Sequence, residues 1–145
     1  MSDKLDVVGI GNAMVDAIIP SNQSEIEKHE INRDSMNLID ENLKNNLHES
    51  YSIREMAGGG SLGNSMFGIT SFGGNGSFIG KIKNDEIGVY LQKDMIREGL
   101  KFPLGFTSPD ISTGCCTIFV EEDGTRTMCT FLGAGTLIGL SLIHI

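Results

Sequence analysis

Basic residues are few in this chain. Eleven lysines and arginines stand against 19 aspartates and glutamates in 145 residues, a formal charge of −8, and the isoelectric point is near 4.7. A nucleic-acid binder of ordinary type needs a basic face, and none is written here; the acidic balance fits a cytoplasmic protein. Long apolar runs are also missing. Nothing reaches the ~18 apolar residues a membrane-spanning helix needs, and the charged opening M-S-D-K-L-D leads straight into an expected strand, unlike a signal peptide. Cysteine is limited to Cys115, Cys116 and Cys129, with no C-x-x-C. Strand neighbours Cys115 and Cys116 would face opposite ways, so no disulfide framework and no metal site is expected, and reduced thiols are.

Glycine, by contrast, is abundant, at 19 residues, and 39% hydrophobic content suffices for one globular domain with a core. No internal repeat or low-complexity linker interrupts the chain. The glycines concentrate between Ala57 and Gly80, A-G-G-G-S-L-G-N-S-M-F-G-I-T-S-F-G-G-N-G-S-F-I-G. Gly58, Gly59 and Gly60 precede Ser61, where a helix should begin, and Asn64 lies one turn in. Glycine lets a ligand approach the backbone closely, a helix N-terminus offers unpaired N–H groups, and the Asn64 amide can donate and accept. The plain alternative is a glycine-rich loop before a packed helix.

Elsewhere strands and helices alternate, which predicts an α/β doubly wound sheet. Leu5–Gly11 reads as a buried parallel strand, and Asn12–Ile19 continues as a strand. Gly9-x-Gly11 invites a dinucleotide-binding reading, but Met14 stands where the third glycine of G-x-G-x-x-G belongs. A polar helix is expected over Ser24–Glu30, a strand over Met36–Ile39, and a helix capped by Asp40 runs to Ser50 with Leu43 and Leu47 inward. His29 and His48 fall on polar helices, as surface histidines would. Met66, Ile69 and Phe72 have helical spacing for core contacts, and Gly73-Gly74 ends that helix. A strand over Ser77–Ile82 follows, then a helix starting at Asp85 with Ile87, Tyr90, Leu91 and Ile96 as its apolar stripe, and a short strand Phe102–Phe106. Asp123-Gly124 between two β-rich runs predicts a hairpin.

Several of these stretches together resemble the PfkB carbohydrate kinases, which include ribokinase and adenosine kinase. The carriers are G-N-A-M-V-D at 11–16, the G-G-G-S-L-G-N loop at 58–64 with its Gly-Gly helix end, G-K-I-K-N-D-E-I-G at 80–88, and T-G-C-C with D-G-T-R-T and L-G-A at 113–134. The resemblance implies a ribokinase-like, mostly parallel sheet with a small β lid made of the Met36 strand and part of the hairpin. It implies a site for a sugar or nucleoside in which Asp16 accepts from two hydroxyls, beside Asn12, Gly59, Gly60, Ser61 and Asn64, with Cys116, Thr130 and Leu132 lining the pocket as in the adenosine-kinase branch. Adenosine kinase is the favoured branch; ribokinase- or fructokinase-like sugar kinases, and from another class a non-catalytic sugar- or nucleoside-binding protein, are the alternatives.

The family's second signature, D-T-x-G-A-G-D, carries the base and the anion hole. Gly133-Ala134-Gly135 is followed by Thr136, not Asp, and is not assigned to it. The expectation is therefore an N-terminal half, 1–139, of a truncated kinase. The complete parent would use ATP and Mg²⁺; this fragment would bind neither, would be inactive alone, and its lid offers a possible homodimer contact. The last six residues, 140–145, read as a non-native tail derived from a sequencing adapter.

Overall fold

A computed structural model describes residues 4–140; the expected adapter-derived tail lies outside the described residues except for Leu140. In chain order the elements are β1 (Val7–Ile10), β2 (Met14–Pro20), α1 (Gln23–Glu27), β3 (Met36–Leu38), α2 (Glu41–Ser50), β4 (Glu55–Gly59), α3 (Ser61–Ser71), β5 (Gly76–Ile79), β6 (Ile82–Lys83), α4 (Glu86–Arg97), β7 (Phe106–Ser108), β8 (Gly114–Val120), β9 (Arg126–Phe131) and a 3₁₀ turn over Gly133–Leu137.

Parallel pairs β1·β5 and β6·β7 alternate with α3 and α4, as expected for an α/β chain. The Met36 strand and the hairpin, expected to form a lid, belong to one larger sheet. It is a five-stranded mixed sheet in the order β3-β9-β8-β2-β4, which recruits β2, β4 and the whole β8–β9 hairpin. Val15 and Ile19, four residues apart on β2, lie on the same face of the strand. Val15 joins Ala13, Met66, Phe78, Leu91 and Met95 in one core. Ile19 joins Ile26, Leu47, Phe119 and Cys129 in another, so β2 spans both.

Local chemistry sets the boundaries. Asn22 closes a capping box with Glu25, which starts α1 before Ser24, and Glu30 at φ 56° shows why it does not extend there. Asp40 caps α2 through Leu43 N at 2.8 Å, and Asp85 caps α4. Asp123 accepts from Thr125 N at 2.8 Å in the hairpin turn. The turn is tied to the chain before β3 by a bidentate Arg33–Glu121 pair at 2.7 and 3.0 Å.

Several expectations are corrected. β1 is parallel but not buried: Val8 is 50% and Ile10 45% exposed, and only Gly9 packs inward, against Leu62 and Met66. Phe72 is 95% exposed, because α3 ends at Ser71 and the chain turns away through Gly73 at φ 86°. On α4 the inward positions are Leu91, Asp94 and Met95, leaving Ile96 outside. The strand expected at Phe102–Phe106 is reduced to a single bridge, Ser77 to Lys101, with β7 starting at Phe106. Pro103 supplies no N–H and Gly105 takes φ 57°, so pairing breaks between them. The strand expected over Ser77–Ile82 splits into β5 and β6 around Gly80, where a Cβ would lie 2.9 Å from Gly11 O.

Candidate functional site

The register of β2 and β4 builds the site. Asp16 lies opposite Ala57, and Met14 opposite Gly59. On its other side Asp16 pairs with Cys116 of β8. The Asp16 carboxylate lies so close to Gly59 that a Cβ built there would collide with both oxygens. Glycine at 59 is therefore required by close approach, not by a turn. Residues 57–59, which read as loop in the sequence, are strand.

Asp16 is half-buried, and among the described residues its side chain makes no hydrogen bond or ion pair. Burial pushes its pKa up from the usual carboxylate value. A partly desolvated carboxylate with both oxygens unspent is a ready acceptor for two hydroxyl donors. Immediately after it in space, Gly60 takes φ 79° and starts α3 without any side-chain cap. The first-turn N–H groups are thus left for other acceptors, while Asn64 N returns to Gly60 O at 2.9 Å. Ser61 and Asn64 are exposed on α3.

The other expected residues distribute as follows. Asn12, in the connection from β1 to β2, is exposed and packs on Gly135, whose Cβ would lie 2.9 Å from Asn12 Oδ1. Cys116 and Thr130 are opposite each other on β8 and β9, with Thr130 Oγ1 donating to Cys116 Sγ at 3.4 Å. Leu132 sits beyond β9, lining a hollow of about 280 Å³ with Leu38, Ile39, Thr130 and Thr136. Asn12, Asp16, Gly59, Gly60, Ser61 and Asn64 thus lie along one continuous path of strand ends and helix start, and Cys116 and Thr130 extend it across the sheet.

Cys115 faces the opposite way from Cys116, toward His48 Nε2 at 3.9 Å. Burial pushes the Cys115 thiol up to about 12 and that of Cys129 to about 11. Both are neutral, unreactive core groups, and all three cysteines are free.

Sequence reasoning missed three polar features. His48 is not a surface residue: it is half-buried, bonds Thr117 Oγ1 at 2.9 Å, and burial with nearby Lys44 lowers its pKa. It lines a cavity of about 450 Å³ with Lys44, Met56, Asp85, Glu86 and Ser112. His29 is likewise engaged, with Tyr51 at 2.8 Å. Asp85 does more than start a helix. It accepts from Gly88 N at 2.7 Å, Thr113 N at 2.9 Å and Thr113 Oγ1 at 2.8 Å, tying α4 to the entry of β8. No local pattern signals a partner 28 residues away. Among the described residues, no three His, Cys, Asp or Glu side chains converge as a metal site, and no helix is long and apolar enough to cross a membrane.

The sequence profile of the pfkB family carbohydrate kinases matches residues 5–138. No curated protein matches the chain. Among solved structures, the adenosine kinase from Sinorhizobium meliloti is similar at 36% identity and a TM-score of 0.83, over 94% of this chain and 42% of that one. A "probable sugar kinase protein" from Rhizobium etli CFN 42 is similar at 32% identity and TM-score 0.81, over 93% of this chain and 41% of that one. An Anopheles gambiae adenosine kinase, in complex with P1,P4-di(adenosine-5) tetraphosphate, shares the fold at 22% identity and TM-score 0.83, over 95% of this chain and 42% of that one. The chain thus spans less than half the length of these structures.

Proposed function

The chain belongs to the pfkB family of carbohydrate kinases, and we propose that it is the substrate-binding half of a cytoplasmic, ATP-dependent nucleoside or sugar kinase, with adenosine the favoured acceptor. The observation that carries this is the half-buried Asp16 carboxylate, without a side-chain partner among the described residues, held against Gly59 at the start of an uncapped helix. Vicinal hydroxyls of a ribose supply the two donors that such a carboxylate accepts. Asn64, exposed one turn into α3, adds a donor and an acceptor for a further hydroxyl. The favoured branch is supported by the identity of 36% to an adenosine kinase; the probable sugar kinase at 32% keeps a sugar acceptor as the second reading.

On this reading Asp16, Gly59, Gly60 and Asn64 bind and orient the acceptor, while Cys116, Thr130 and Leu132 border it. ATP and Mg²⁺ supply the phosphoryl group and charge neutralisation in the complete enzyme. On this reading their binding groups and the base lie outside this chain, which spans 42% of the Sinorhizobium meliloti adenosine kinase. The test is to express residues 1–139 and, separately, the full parent gene, and to assay ATP consumption with adenosine, ribose and fructose. Acceptor-dependent turnover is expected from the parent alone. Turnover by 1–139 would overturn the division of labour, and a parent inert toward all three would overturn the kinase reading.

A further inference from the structure

β4 is the end strand of its five-stranded sheet. An end strand presents unpaired N–H and C=O groups along its outer edge, and here two side chains of α4 take them. The Gly58 N–H donates to Asp94 Oδ2 at 2.8 Å. The Tyr90 hydroxyl donates to the Met56 carbonyl oxygen in a short hydrogen bond. The spacing explains the match. Residues i and i+4 of a helix rise about 6 Å, and residues i and i+2 of a strand rise about 6.6 Å. Tyr90 and Asp94 therefore meet Met56 and Gly58 in step.

Asp94 is 5% exposed. A buried carboxylate is costly without donors; Arg97 supplies a charged one at Oδ1 and Gly58 N the other at Oδ2. Gly58 is closed in from both helices: a Cβ there would lie 2.7 Å from Phe67 Cζ on α3 and 2.9 Å from Asp94 Oδ2 on α4. The next residue, Gly59, turns its α-carbon to the opposite face, toward Asp16. Consecutive glycines thus place the α4 contact and the Asp16 contact on adjacent residues of β4.

We propose that Asp94, assisted by Tyr90, is a positioning residue of the acceptor site, clamping the open edge of β4 so that Gly59 stays against Asp16. The inference rests on the acceptor-site reading above. A role limited to holding α4 on the sheet would lower stability and weaken both substrates together; the clamp acts on the acceptor alone.

The experiment compares Asp94→Ala, Asp94→Asn and Tyr90→Phe in the full-length protein, reading KM for adenosine, KM for ATP, kcat and Tm. Asp94→Ala is expected to raise the adenosine KM at least tenfold with the ATP KM within twofold. Asp94→Asn, whose amide oxygen still accepts from Gly58 N–H, is expected to restore it to within threefold. Tyr90→Phe should raise the adenosine KM two- to fivefold with the ATP KM unchanged, and this variant decides should Asp94→Ala fail to fold. An unchanged adenosine KM in these variants, or equal rises in both KM values, overturns the clamp. Should the wild-type protein phosphorylate neither nucleoside nor sugar, the acceptor reading fails separately. The Asp16 titration followed by NMR then judges the clamp. Loss of the edge contact lets Asp16 hydrate and titrate at lower pH in Asp94→Ala or Tyr90→Phe than in wild type, and a titration unchanged from wild type in whichever of these variants folds overturns it.

Discussion

The carboxylate of Asp16 lies directly over the α-carbon of Gly59, leaving no room for a Cβ. One residue thereby dictates the other: an acid at 16 on β2 demands glycine at 59, diagonally across on β4. The same closeness brings backbone, carboxylate and the start of α3 within reach of one small ligand.

Gly59→Ala forces Asp16 aside or opens the β2–β4 pair. Overpacking of this kind costs about 1–3 kcal/mol, and acceptor kcat/KM should fall by roughly 10²-fold as the carboxylate leaves its place. Gly68→Ala is the contrasting change. On the same following helix, a Cβ at Gly68 meets nothing within 4 Å, so the protein should gain up to about 1 kcal/mol from helix propensity with kinetics unaltered. Thermal melts and steady-state kinetics on the pair check both halves.

Asp16 should also cost stability. Its folded pKa is raised by burial, so the folded state binds the proton more tightly than the unfolded chain. The sign follows from linkage: this group's favourable contribution is present below the unfolded carboxyl pKa near ~3.9 and is lost as pH rises through the higher folded value. Asp16→Asn is therefore expected to raise Tm at neutral pH, with the gain shrinking as pH drops toward 4, while acceptor binding weakens. A Tm lower than wild type at neutral pH would show that Asp16 has a stabilising partner.

Asp85 should behave as a structural tie. Its three hydrogen bonds join the α4 N-terminus to Thr113. Losing a helix cap costs about 0.5–2 kcal/mol, and leaving the Thr113 N–H unpaired about 1–3 kcal/mol more. Asp85→Ala is expected to lower stability by about 2–4 kcal/mol in denaturant unfolding, with Asp85→Asn recovering part of it.

How much of this was legible in the sequence depended on whether the signal was local. Asp40, Asp85 and Asp123-Gly124 announce caps and a turn through their own side chains and immediate neighbours, and each is found in that role. The G-G-G-S-L-G-N stretch pointed to the site, yet Gly58 and Gly59 read as loop because glycine has low strand propensity. Only pairing with β2 makes them strand, and only Asp16 and Phe67 make small residues necessary there. Phe72 follows the last residue of α3, where the chain turns away before it can be buried, and Ile96 lies off the face that Leu91, Asp94 and Met95 bury. Asp94 was invisible for the opposite reason: an acid on an amphipathic helix reads as solvated, whereas its partner is a backbone N–H 36 residues away. The roles of Asn12, Cys116, Thr130 and Leu132 rest on resemblance alone, since core strand residues and pocket residues are the same types.

The most direct test of the account is the acceptor kcat/KM of Asp16→Ala in the full-length protein, with adenosine as acceptor. Removing two charge-assisted hydrogen bonds should cost about 2–4 kcal/mol of transition-state stabilisation, a fall of roughly 10²–10³, with the KM for ATP little changed. A kcat/KM within about threefold of wild type, less than ~1 kcal/mol, would contradict the placement of the acceptor at Asp16.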